Sequence, residues 1–195
     1  MVDYLKESGV PRTSLYTGFF IENFLAPQTK PKKQEDGSYL LAIPTLPDGN
    51  LQSPPRGRSP AIRFLSPMLT QPAKNFLYPA SQTGAWVLRA FLSPAQWLNK
   101  DMRIVTEWLS LRDLANIASR VSGKKVVPME LTEEQFHQTR TAGYPGAEEF
   151  YLNFLFFVKH GPESGVRDLE MTWREVPQAL TWEKFVEENK EVLFP

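Results

Sequence analysis

From Gly49 to Lys100 the chain carries no acidic residue, and Pro54, Pro55, Pro60, Pro67, Pro72 and Pro79 recur within that stretch. Proline removes a backbone donor and fixes φ, so this spacing forbids a helix and opposes most strands. Residues 51–80, which also hold Arg56, Arg58, Arg63 and Lys74, are therefore expected to be a Pro/Arg-rich irregular insertion. A structureless segment of about 30 residues is far longer than the roughly 4–6 of an ordinary connection. Ordered structure then has to be assembled from the flanks, 1–48 and 81–195. The tract lacks the interleaved aromatics of a base-stacking platform, so it reads as a flexible insertion before it reads as a nucleic-acid patch.

With 195 residues, 42% of them apolar, the flanks suffice for a single domain with a real core. The formal net charge is zero, which removes any global attraction to nucleic acid or an anionic membrane. The chain has no cysteine, so disulfides and thiolate chemistry are excluded. No apolar run approaches the roughly 20 residues of a membrane span, and Phe154 to Val158 reads as interior. The opening residues have the character of neither a signal peptide nor a transit peptide. The expected compartment is the cytoplasm. Lys30-Pro31-Lys32-Lys33 leaves the nucleus open, although it reads first as a solvated loop.

Short helical spacing over Val2 to Ser8 ends at Gly9, and Thr13 to Thr17 is a β-prone run broken by Gly18. Phe19 to Leu25 is a dense apolar knot, and Ser38 to Ile43 reads as a buried strand. Helix, loop, strand and glycine loop make half of a βαβ repeat. A parallel strand there needs neighbours, so Thr13 to Thr17 is expected to be exposed along one edge and prone to self-association. Thr83 is the expected N-cap of a helix over 84–92 that Ser93-Pro94 ends, and Arg103 to Glu107 reads as a strand. Ser110 and Asp113 form a capping-box pattern ahead of the stripe Leu111, Leu114, Ile117, Ala118 and Val121, which stops at Gly123. A short strand follows within 124–130. Thr132 with Gln135 opens a helix to about Thr141, 147–160 is a helix apolar almost all round, and Thr181 starts a final helix.

None of the eleven glycines forms the loop that brings backbone amides to a dinucleotide pyrophosphate. Ser122-Gly123-Lys124-Lys125 has the tail of a phosphate-binding loop without its upstream glycine, and reads as a helix C-cap followed by solvated lysines. No tyrosine is followed four residues later by the lysine with which short-chain dehydrogenases activate a phenol. His137 and His160 fall on different helices with no carboxylate at ligand spacing, which points to solvent rather than metal. The pairs Glu133-Glu134, Glu148-Glu149 and Glu187-Glu188 suit helix dipoles better than acid–base catalysis.

The stretch Val2-Asp3-Tyr4-Leu5, Ser8-Gly9-Val10-Pro11 and Tyr16-Thr17-Gly18-Phe19-Phe20-Ile21-Glu22-Asn23-Phe24 resembles the NmrA-like family of atypical short-chain dehydrogenases. The resemblance resumes at Thr83-Gly84-Ala85-Trp86-Val87. It continues through Leu109 to Ala115, Ser122 to Val126, Phe150 to Phe157 and Leu180-Thr181-Trp182-Glu183, so it spans about 1–48 and 81–195. It implies an α/β fold: a partial Rossmann-like sheet of C-terminal strands and helices plus a small α/β substrate lobe, with the N-terminal nucleotide-binding half absent. On that reading residues 1–195 are a single NmrA-like domain truncated at its N-terminus. The resemblance further implies NADP as cofactor, with Tyr16, Gly18, Phe19 and Asn23 on the nicotinamide side, Gly18 letting the backbone approach the ring and Phe19 forming an apolar wall.

Without the family's glycine-rich loop and its lysine, micromolar NADP binding by these residues is not expected. The function so implied is an NAD(P)-dependent oxidoreductase relative acting on a small organic substrate, impaired by that loss. The alternatives are an NADP-sensing regulator that binds a protein partner without catalysis and an inactive remnant. Gln82 stands where the family usually has aspartate.

Overall fold

The apolar spacing at the start of the chain folds as helix α1 (Val2–Glu7), which leads into strand β1 (Thr13–Tyr16). The computed structural model describes residues 2–45 and 73–195. The aromatic knot divides into strand β2 (Phe19–Phe20) and a 3-10 turn over Ile21–Leu25. Strands β3 (Lys32–Lys33) and β4 (Tyr39–Leu41) form a hairpin, so two of the lysines expected in a loop are exposed on a strand instead.

Strand β5 (Lys74–Tyr78) corrects the expectation of irregular structure across 51–80. Residues 51–72 lie outside the described residues, but Lys74 to Tyr78 fit between Pro72 and Pro79 and pair on both sides. Burial of Phe76, Leu77 and Tyr78 drives this pairing: three bulky β-formers outweigh the proline-rich context. A 3-10 turn, Ala80–Gln82, runs into α2 (Thr83–Leu92), followed by α3 (Pro94–Trp97). Thr83 is not the N-cap. It is the first helical residue, and its Oγ1 accepts from the Tyr78 hydroxyl at 2.8 Å while donating to the Ala80 carbonyl at 2.8 Å.

The strand expected over 103–107 is two strands, β6 (Lys100–Arg103) and β7 (Glu107–Ser110), in different sheets. Between them Ile104, Val105 and Thr106 are buried, and their amides bond the carbonyls of Tyr16 and Leu77 and the hydroxyl of Thr172. The capping box of Ser110 and Asp113 is complete at the start of α4 (Leu111–Ser122), and Gly123 ends it at φ 69°, where a side chain would be strained. Strand β8 (Val126–Pro128) follows. Helix α5 (Glu133–Gln138) ends in a 3-10 turn at Thr139–Thr141, short of the expected α-helical limit. Helices α6 (Ala147–Lys159) and α8 (Trp182–Leu193) match their signals, whereas α7 (Leu169–Glu175), capped by Asp168, was not foreseen.

Three small sheets result. β1 pairs with β6 in parallel, from Thr13 opposite Lys100 to Tyr16 opposite Arg103. β5 lies between β2 (parallel) and β7 (antiparallel), and β4 lies between β3 (antiparallel) and β8 (parallel). The larger core joins β2, β5 and β4 to α4, α6 and α8. It is centred on aromatics such as Phe24 and Trp182, whose rings lie 4.6 Å apart, and on Phe76 and Phe157 at 4.3 Å. A second core of Tyr78, Trp86, Trp97, Met102, Ile104, Met171, Val176 and Ala179 lies beside β1 and β6.

Candidate functional site

β1 and β6 run the same way, so their C-terminal residues, Tyr16 and Arg103, stand side by side at one edge. Side chains alternate across a strand. Leu15 and Met102 therefore pack into the second core while Ser14, Asp101, Tyr16 and Arg103 occupy the opposite face. Arg12 crosses that face to Asp101 at 2.8 Å and also bonds Ser14, and both partners are shielded, with side-chain exposures of 11% and 20%. The Arg12 hydrogen bond holds the Asp101 carboxyl below its ordinary range against the opposing effect of burial.

Arg167 closes the same corner. Its half-buried guanidinium donates to the Thr17 carbonyl from Nε at 3.2 Å and again from Nη2, and to the Val166 carbonyl at 2.8 Å. It also lies 4.7 Å above the Phe76 ring. Burial draws its pKa down, the neighbouring Arg103 adds to this, and Tyr16 opposes it.

The four residues assigned to the nicotinamide side occupy different environments. Tyr16 is half-buried at the end of β1, and Asn23 is exposed on the 3-10 turn. Phe19 is 7% exposed and packs on Phe24 at 5.4 Å and Phe154 at 5.7 Å, so it belongs to the core rather than to an open wall. Gly18 does permit a close approach, but to the protein itself: a Cβ there would lie 2.0 Å from the Phe76 carbonyl oxygen. Its neighbour Glu22 accepts from the Ala80 and Ser81 amides, each at 2.9 Å. Burial alone would raise the Glu22 pKa, yet these bonds bring it below the ordinary value. Sequence reasoning missed Glu22, Arg103 and Arg167. Only the Asp168 cap, three residues before Met171, could have pointed to α7 and to the arginine ahead of it.

Among the described residues α4, α6 and α8 carry acid at their N-termini, whereas the first turn of α2 has none and the acid near it caps the preceding 3-10 turn. Glu22 caps the turn leading into α2, Asp113 closes the box of α4, Glu148 and Glu149 lie in the first turn of α6, and Glu107 accepts from the Trp182 amide of α8. Burial pushes the Glu107 carboxyl up despite that bond, with Glu183 adding to the effect. A pyrophosphate prefers a helix N-terminus with free amides and no competing anion. Only α2, of the long helices, begins without acid in its own first turn, and the Glu22 carboxylate stands one turn ahead of it.

His137 is exposed, as expected, but a carboxylate does lie one turn back: its Nε2 is 3.7 Å from Glu133, and its Nδ1 is 2.7 Å from the Tyr151 hydroxyl. No group of three or more metal-ligating side chains occurs among the described residues, and no helix among them is long and apolar enough to cross a membrane.

The fold has solved counterparts. NmrA, a negative transcriptional regulator, in complex with NADP, is 18% identical with a TM-score of 0.65, and the match covers 96% of this chain and 55% of that one. The NADPH-dependent quinone oxidoreductase QOR2 of Escherichia coli, complexed with NADPH, is 19% identical with a TM-score of 0.60, over 96% and 56% of the two chains. Isoflavone reductase is 16% identical with a TM-score of 0.61, over 96% and 55%. The chain thus spans little more than half the length of each. The model of the NmrA-like family matches residues 2–187, the same order of segments that the strands and helices above occupy, and the chain belongs to that family.

Proposed function

We propose that this chain is the substrate-side part of an NAD(P)-dependent oxidoreductase of the NmrA type. In this reading Tyr16 to Asn23 face the nicotinamide of NADP, and the lobe from Trp86 onward helps enclose a small organic substrate. The observation that carries it is the parallel pair β1 and β6, whose C-terminal ends meet at the Tyr16 to Gly18 loop. Ligands of open α/β sheets bind outside the carboxyl ends of the strands. Solved structures of the same fold that contain NADP or NADPH support the choice of cofactor. The pyrophosphate grip of such a site would come from residues other than those described, because α4, α6 and α8 present acid and the Glu22 carboxylate stands just ahead of α2.

Nuclear magnetic resonance with nicotinamide mononucleotide tests the reading. Amide shifts are expected at Tyr16 to Asn23 at millimolar ligand, with NADPH binding no more tightly because its adenosine half finds no seat. Shifts confined to other segments would sink the assignment, and micromolar saturation by NADPH would overturn the account of the phosphates. Oxidation of NADPH against a panel of carbonyl and quinone acceptors then distinguishes an enzyme from a regulator.

The second reading is an NADP sensor that passes its state to a protein partner, and one observation favours it. Helix α2 is apolar on two faces, one in the second core and the other outward with Val87, Leu88, Phe91 and Leu92 exposed by 40%, 56%, 78% and 68%. Such a stripe suits a covering surface.

A further inference from the structure

The polar face of the β1 and β6 pair ends beside two cations that form no ion pair among the described residues. Tyr16 and Arg103 are the last residues of their strands and lie in register. Arg167 reaches the same corner from the segment ahead of α7, held by the Thr17 carbonyl and the Phe76 ring. Of the acids that flank these positions, Asp101 pairs with Arg12 at 2.8 Å while also feeling the charge of Arg103, and Asp168 accepts from the Met171 amide at 2.8 Å. Among the described residues neither Arg103 nor Arg167 forms an ion pair, although like charges so placed repel. Among the described residues the Arg103 guanidinium makes one hydrogen bond, to the Gly165 carbonyl at 3.2 Å, which leaves most of its five donors unused.

We propose that Arg103, Arg167 and the Tyr16 hydroxyl form a recognition site for an oxyanion, the carboxylate or phosphoryl group of a small organic acid, at the C-terminal edge of β1 and β6. The guanidinium fork matches either group in geometry and charge. The Thr17 and Val166 carbonyls hold Arg167 in one orientation before any ligand arrives. As the charge-reading part of the substrate cleft, the site rests on the function proposed above.

Calorimetric titration of the full chain with benzoate, phenyl phosphate and NADPH, at low ionic strength, tests it. At least one of the two acids saturates at millimolar concentration, Arg103→Gln weakens that acid about tenfold, and Arg89→Gln, a change on α2, leaves it unaltered. No saturation by either acid, or equal affinity in wild type and Arg103→Gln, overturns the site. Binding of an acid without any nicotinamide mononucleotide shift at Tyr16 to Asn23 upholds the site and sinks the nicotinamide reading alone. An NADPH affinity that falls about tenfold in Arg103→Gln, with neither acid displacing the dinucleotide, would make the oxyanion the cofactor's own phosphate and overturn the substrate assignment.

Discussion

Gln82, at the entry to α2, uses both hydrogen-bonding characters of its amide. Its Nε2 donates to the Gln178 carbonyl at 3.1 Å, and its Oε1 accepts from the Leu180 amide at 2.8 Å, tying the start of α2 to the approach to α8. A carboxylate could accept but not donate, and it would sit beside the Glu22 carboxylate that caps the same turn. Gln82→Glu is expected to cost about 1 kcal/mol of stability in denaturant titration, and a variant as stable as the parent would remove the amide's claim to this role. Glu107 makes a separate case. Its native pKa lies above the ordinary 4.5 through burial, so between that value and its native pKa the folded chain holds a proton that the unfolded chain has lost. Stability therefore declines as pH rises through that window. Glu107→Gln should match the parent in melting temperature below pH 4.5 and exceed it at pH 7, and the reverse order at pH 7 would contradict the sign. Neither role could be read from the sequence, because the partners of each lie 75 or more positions away.

At the scale of elements, local signals that close within one turn were legible and pairings across the chain were not. The boxes at Ser110 and Thr132 and the cap at Thr181 need only three residues each, and all three formed. β5 escaped notice because its prolines are local while its partners, Phe19-Phe20 and Glu107 to Ser110, are distant. The interval expected as one strand, 103–107, splits because Tyr16 and Leu77 compete for it from two sheets. β1 is paired on one side, as a strand of its register allows, and among the described residues its other edge has no neighbour. Self-association was expected of that edge alone, and the outward stripe of α2 is a separate surface on which it can be tested. Leu88→Glu with Phe91→Glu should abolish any concentration-dependent increase in mass seen by light scattering while leaving the melting temperature within about 1 °C, since both side chains are exposed. An increase that persists in the double variant would move the contact elsewhere.

On the scale of the whole molecule, the α/β class and the order of most segments could be read directly, and the candidate site only in part. Tyr16 was named on the family resemblance of the run from Tyr16 to Phe24. Arg103 and Arg167 were not, because their meeting depends on a parallel register and on a loop that crosses to it from the far side of α6. At Gly18 the missing side chain admits the backbone of Phe76. The crossing at Ile104, Val105 and Thr106 has a further consequence. Three successive amides are bonded to β1, to α7 and to β5 respectively, each inside or beside a different part of the two cores. Neither core can open without releasing hydrogen bonds anchored in the other. The two are therefore one cooperative unit, and these amides belong with the protons that exchange only when the entire chain unfolds.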